Sequence, residues 1–188
     1  MAQLITRGAA ERKRAALRAQ QFPDVNAVEL WTGKDERGFF SAPRTLPLVL
    51  RLIKKLAPKA IDPTTVYVDL LSRHMGAGIV EMGAEEDHAY SAGYGGNRAA
   101  RTWRDRMEAL EKLGFIRVRK RGPRPYGYTL LIHPALAVQR LREQGRVEPD
   151  WWEVYVSRQM EVGETKAADL EEKMRAAAQE ADALHGDT

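Results

Sequence analysis

Between Ala100 and Val118 the hydrophobic period of the chain changes, and no single element can satisfy both halves. Ala100, Trp103, Met107, Leu110 and Gly114 recur at steps of three and four, which is one stripe of a helix. Beyond Phe115 the step becomes two: Ile116 and Val118 face one way while Arg117 and Arg119 face the other, which is the pattern of a strand. Gly114 stands at the junction, where a glycine stops a helix without steric cost. The segment "RGPRPYG" then makes a turn stiffened by Pro123 and Pro125. The run "YGYTLLI" returns with Tyr126, Tyr128, Leu130 and Ile132 expected on one side. A helix feeding directly into a two-stranded hairpin is therefore the fixed point of the fold.

The rest of the chain arranges itself around that unit. Residues 7 to 21 read as a short basic, Ala-rich helix with Leu17 as its one large apolar residue, and a small hairpin is expected from about Val28 to Phe40. Leu46, Val49, Leu50, Ile53 and Leu56 mark a first core helix that Pro58 ends. Asp62 before Pro63 predicts a cap and a first-turn proline for a second helix, with Val66, Tyr67, Leu70 and Leu71, running to about Met75. "IVEM" suits one short strand. Glu85, Glu86 and Asp87 suit the positive end of a further helix, and Asn97 is a candidate cap for the helix of Trp103. "PALAVQRLREQG" and "EPDWWEVYVSRQM" are two amphipathic helical stretches. The last segment carries Ala167, Leu170, Met174, Ala177, Ala181 and Leu184 in a heptad-like seam too short to sustain a coiled coil alone. The expected division is 1–40 for a basic helix and small hairpin, 41–134 for the main domain, 135–163 for packing helices and 164–188 for an acidic helix or tail.

Charge is distributed as unevenly as hydropathy. The whole chain of 188 residues carries a formal +4, yet residues 95–125 hold ten Lys or Arg against three acids, a local +7. Residues 161–188 hold three bases against eight acids, a local −5. A basic centre beside an acidic tail favours a polyanionic partner for the centre. With Trp103 turned inward, a helical wheel places Arg98, Arg101 and Asp105 on the opposite face, Asn97 and Arg104 on one flank and Thr102 on the other. Arg119, Lys120, Arg121 and Arg124 gather at the hairpin tip, where they would follow phosphates or enter a minor groove. As a bland alternative, Arg101 with Asp105 and Arg104 with Glu108 would be i,i+4 pairs on a solvated face.

The segment "HAYSAGYGGNRAARTWRDRMEALEKLGFIRV", closed by "LEKLGFI", resembles the winged helix-turn-helix superfamily, and the likeness extends from about Arg44 to Pro134. It looks like the pattern in which a short helix and a three-residue turn lead into a recognition helix. The resemblance implies a mainly α fold with a small β-hairpin (α+β), a winged helix-turn-helix core and helical N- and C-terminal extensions. It also implies that the amino-terminal half of the helix reads base edges, which selects Asn97, Arg98, Arg101, Thr102 and Asp105. The longer pattern "ELW…SAPRTLPLVLRLI…RTWRDRMEALEKLGFI…YTLLIHP" is similar to uncharacterised proteins carried on bacterial plasmids, which implies a setting rather than an activity.

Other chemistries find little purchase. Cysteine is absent, so disulfides and thiolate metal sites are excluded. His74, His88, His133 and His185 show no paired ligand spacing, and Glu85, Glu86 and Asp87, being consecutive on a helix, cannot converge on a metal. "GAGIVEMG" and "GYGGNR" miss the last glycine of the dinucleotide pattern. The expectation is thus a sequence-specific protein of double-stranded DNA, a transcriptional regulator or plasmid maintenance factor, with a plasmid replication initiator or accessory factor and a DNA-independent interaction module as rivals. No catalytic residue, metal or cofactor is expected. With no leader or membrane-length apolar run in the sequence, a cytoplasmic setting is expected, with a homodimer through the terminal helices.

Overall fold

The computed structural model describes residues 2–26, 29–30, 38–74 and 76–185. The hairpin expected from Val28 to Phe40 lies mostly outside them. The chain divides into two compact units, Met1–Phe39 and Phe40–Thr188. The first contains α1 (Ala2–Gln21), which begins some five residues before the Ala-rich basic run predicted it, and Leu17 and Phe22 are exposed at 56% and 60%.

The second unit runs α2 (Leu46–Leu56), α3 (Thr64–Arg73), β1 (Ile79–Glu81), α4 (Glu85–Ser91), α5 (Ala99–Lys112), β2 (Ile116–Arg121), β3 (Arg124–Leu131), α6 (Pro134–Glu143), α7 (Pro149–Val162) and α8 (Ala167–His185). The described residues are mainly helical with one small antiparallel sheet, an α+β fold. Its three strands lie in the order β1-β3-β2. The hairpin of β2 and β3 was legible from its period. That "IVE" would add to it as a third strand was not, because the pairing Ile79↔Leu130, Val80↔Thr129 and Glu81↔Tyr128 joins segments some fifty residues apart.

Local chemistry explains most boundaries. The helix α5 closes with a glycine-terminated double hydrogen bond: Phe115 N–H donates to the Leu110 carbonyl at 3.1 Å and Gly114 N–H to that of Glu111 at 2.9 Å, with Gly114 at φ +78°. Buried Phe115 then stacks edge-on against Tyr67 at 5.4 Å, so the residue that ends the helix also enters the core. At α3 the predicted frame shifts by one. Pro63 occupies the cap position and Asp62, one residue outside, accepts from Thr64 N–H at 3.1 Å and from its hydroxyl at 2.6 Å. The helix stops at Arg73, two residues short of the expected end.

The four residues expected on one side of β3 do not share one environment. Gly127 and Thr129 point inward, while Leu130 is 43% exposed and Tyr128 half-buried on the outer face. β3 is the central strand, and Gly127 is buried against Arg121 of the neighbouring β2. Of the four residues expected on one side, Tyr126 and Ile132 pack against the core, Tyr126 edge-on to Trp103 at 5.3 Å.

The core of this unit collects Val49, Leu52 and Ile53 from α2, Val66, Tyr67 and Leu70 from α3, Trp103, Met107 and Leu110 from α5, and Val138 and Leu141 from α6. Tyr155 of α7 completes it beside Trp151, the rings stacking at 5.0 Å. Burial, with Glu164 nearby, pushes the Tyr155 phenol up to about 12, so it stays neutral. One long-range polar contact locks the start of α2. The Glu164 carboxylate, which follows α7, accepts from the backbone N–H of buried Thr45 at 3.1 Å and from its hydroxyl at 2.6 Å. A carboxylate from 119 residues away thus does what a local capping side chain usually does. Glu164→Ala should lower unfolding free energy by about 1–2 kcal/mol, the usual cost of removing a helix cap, measured by urea unfolding followed by circular dichroism; an unchanged midpoint would show that the contact contributes nothing.

Candidate nucleic-acid interface

α4, the connection after it and α5 hold the arginine face in place. Trp103 is fully buried, stacked on His88 of α4 at 5.7 Å and edge-on to Tyr126 of β3 at 5.3 Å. That contact fixes the rotation of α5, and Arg98, Arg101, Arg104 and Asp105 are all exposed as a result, with Thr102 half-buried. His88 is held in turn. Its Nε2 accepts from Gly83 N–H at 3.0 Å, which places the ring proton on Nδ1, 3.6 Å from the Asp69 carboxylate of α3. At that distance the attraction is electrostatic rather than a hydrogen bond.

The connection between α4 and α5 spans residues 92–98, not the three residues of the expected turn. Gly93 and Gly96 take left-handed φ of +88° and +79°, and Tyr94 between them is anchored through its hydroxyl to the Asp62 carbonyl at 3.2 Å and to the Thr65 hydroxyl at 3.1 Å. The Arg106 guanidinium lies over the Tyr94 ring at 4.8 Å and donates to the Thr102 carbonyl at 2.9 Å, so this arginine is a brace of the turn. Asn97 does not cap α5. The turn at Gly96 brings Arg98 to the cap position with φ −107° and ψ 4°, and its carbonyl receives the Thr102 N–H at 2.9 Å. Asn97 is left exposed in the turn, its side chain uninvolved in the helix start.

The cations fall into two groups. Arg104 pairs with Glu85 at the start of α4 and so ties the two helices together, and Arg121 pairs with Glu81 of β1 at 3.0 Å while its guanidinium lies 5.5 Å from the Tyr128 ring. Neither of the i,i+4 pairs that would have neutralised α5 forms: the pair on this helix is Lys112 with Glu108, at 2.6 Å near its far end. Among the described residues no ion pair holds Arg98, Arg101, Arg117, Arg119, Lys120 or Arg124. Arg117, on the outer face of the sheet, was not among the cations expected to meet a partner. Its alternation with Ile116 marked it as outward, and its place beside Arg119 on β2 was the available clue.

The hairpin is built for a short, rigid tip. Arg121 pairs with Arg124 across the two-residue turn of Gly122 and Pro123, and a bulge displaces the register between Arg119 and Arg121. Gly127 makes this possible: a Cβ there would fall within 2.8 Å of the Arg121 Cα and closer still to its Cβ, so the crossing of backbones requires glycine. Pro123, Arg124 and Pro125 of the tip share a surface depression of about 330 Å³ with Glu85, Glu86 and Arg104. The tip, the start of α4 and Arg104 of α5 therefore border one concavity.

Among the described residues no group of three His, Asp or Glu side chains is arranged to hold a metal, and no helix is long and apolar enough to cross a membrane. The chain matches no protein-family model, no curated protein and no solved structure. The interface therefore stands on residues and geometry alone.

Burial alone would raise the Asp69 carboxyl, but the facing His88 and the Arg73 Nε at 2.8 Å outweigh it and hold the group below the usual carboxylate range. Its contribution to stability is therefore complete above the unfolded value of about 3.9 and is lost as pH falls through the lower folded value. Thermal unfolding followed from pH 6 to pH 2 should show wild-type stability dropping over that acid window, while Asp69→Asn is less stable by about 1–3 kcal/mol at pH 6 and has a shallower acid slope; identical slopes would contradict the clamp.

Proposed function

We propose that this protein binds double-stranded DNA sequence-specifically through a winged helix-turn-helix, with α5 as the reading helix and the β2–β3 hairpin as the wing. The observation that carries the reading is the pair Arg98 and Arg101. Arg98 at the cap of α5 and Arg101 in its first turn are exposed opposite a fully buried Trp103, and among the described residues neither they nor Arg119, Lys120 and Arg124 of the hairpin have an acid partner. A helix fits the major groove, where each bidentate arginine–guanine contact discriminates by about 1–3 kcal/mol. Asn97 is available to adenine and Asp105 to a cytosine amino group by the same logic.

The order of α3, β1, α4, α5, β2 and β3, with β1 on the far side of β3, supports the winged assignment. In this reading the protein is a regulator or a plasmid maintenance factor working in the cytosol as a dimer through its terminal helices. Arg104 and Arg121 then act differently from their neighbours: each is already neutralised by a carboxylate, so each orients the surface more than it attracts phosphate. The exposed Ile79 and Leu130, at 40% and 43% on the outer face of the sheet, favour a second reading in which the domain is a protein-docking scaffold. That alternative predicts no duplex affinity at physiological salt.

Electrophoretic and anisotropy titrations separate the roles. Arg98→Ala with Arg101→Ala, which removes two contacts of about 1–3 kcal/mol each, should relax selectivity by at least about 30-fold between a selected site and random duplex. Arg119→Ala with Lys120→Ala and Arg124→Ala should weaken binding on all sequences and reduce the salt slope by about 0.9 for each phosphate no longer neutralised. Equal losses from both sets on both duplexes would contradict the division, and absence of binding by the unaltered protein would remove the assignment.

A further inference from the structure

Charge and exposure set α1 apart from every other helix of the chain. Its twenty residues carry Arg7, Arg12, Lys13, Arg14 and Arg18 against one acid, Glu11. From position 11 to position 21 every side chain is exposed except Arg18, which is half-buried, and Leu17, the large apolar residue of that stretch, is more than half exposed. Among the described residues no ion pair holds Arg12, Lys13, Arg14 or Arg18. From position 11 to position 21 the helix has no apolar stripe, so packing on a core does not explain this stretch of its sequence.

The direction of the cations identifies the class of partner. At about 100° per residue, Arg12 and Arg14 stand about 160° apart, Lys13 lies about 100° from each, and Arg18 falls near Arg14. A helix that lies on an anionic membrane needs its cations on one side and a large apolar face on the other. Here the charge surrounds the helix. Cations around the circumference suit a partner that presents negative charge on more than one side, and the major groove of a duplex does so, because phosphates line both of its walls. A helix of twenty residues is about 30 Å long, enough to follow such a groove over most of a turn.

We infer that α1 is a second, sequence-independent nucleic-acid contact: a basic helix that enters a groove of the same duplex and adds phosphate contacts through Arg12, Lys13, Arg14 and Arg18. The inference rests on the duplex-binding role proposed above. Being joined to the same chain, α1 binds at the high effective concentration set by that connection, so it adds affinity even where its own contacts are weak. It also supplies salt-sensitive binding without base selectivity, leaving discrimination to α5.

The test uses the full chain carrying Arg12→Gln, Lys13→Gln, Arg14→Gln and Arg18→Gln, since glutamine keeps helix propensity while removing charge. A labelled mixed-sequence duplex of about 30 base pairs is titrated between about 50 and about 200 mM salt. The slope of log affinity against log salt should shrink by about 3.6, that is about 0.9 for each of four cations. Arg12→Lys with Arg14→Lys and Arg18→Lys should retain the full slope, and far-ultraviolet circular dichroism should show equal helix content in all three proteins. If the unaltered protein binds no duplex, the function proposed above fails and this inference with it. If it binds and the glutamine variant keeps the full slope, this inference alone is overturned. Loss of slope in the lysine variant, or charge-dependent binding to phosphatidylserine vesicles with an unchanged duplex slope, would also overturn it.

Discussion

The burial of Trp103 is the constraint from which the rest of the second unit follows. Its indole is held between the His88 ring and the edge of Tyr126, so α4, α5 and β3 converge on one side chain. Burying a side chain of that size is worth about 3 kcal/mol in removed apolar surface, more than any exposed ion pair on the same helix contributes. Packing, and not charge, therefore decides the rotation of α5. Once Trp103 faces inward, Arg98, Arg101 and Asp105 have no freedom to do so, and the charged face is a geometric consequence of the apolar one.

Electrostatics then divides the arginines by what they can reach. Arg73, Arg104 and Arg121 have carboxylates to meet, while Arg106 is spread over Tyr94. These four stiffen the α3–α4–α5 corner and the hairpin. Among the described residues no acid pairs with Arg98, Arg101, Arg119, Lys120 or Arg124, and surplus charge of one sign over a span of some thirty residues costs self-repulsion that an anionic partner would relieve. Glu85 and Glu81 thereby set the shape of the cationic surface by removing Arg104 and Arg121 from it.

The sequence made the period-driven features legible. The α5 stripe, its stop at Gly114 and the alternation of Ile116 to Arg119 are local properties, and the structure has them where the pattern placed them. Tyr126, Tyr128, Leu130 and Ile132 do not share the one environment that their period suggests, because Tyr126 and Ile132 pack against a core assembled from distant elements while Leu130 is 43% exposed. The Glu164–Thr45 contact, the Arg104–Glu85 pair and the addition of β1 to the hairpin share that origin: each joins residues whose separation leaves no periodic trace. The seven-residue connection before α5 was hidden for another reason, since Tyr94 looks like an ordinary helical aromatic until its hydroxyl is seen bound to Asp62. Of the candidate site, the exposed positions of Arg98, Arg101 and the hairpin cations were readable from the wheel and the strand period, whereas the carboxylates that claim two of their neighbours were not.

The most direct measurement is selection of bound duplexes from a randomised pool by the unaltered full-length protein at moderate salt, followed by sequencing. Reading by α5 predicts convergence on a short motif with guanines at positions fixed relative to one another, and loss of that motif, though not of all retention, when Arg98 and Arg101 are alanine. A recovered pool indistinguishable from the input, with no retention above a bare matrix, would contradict the account.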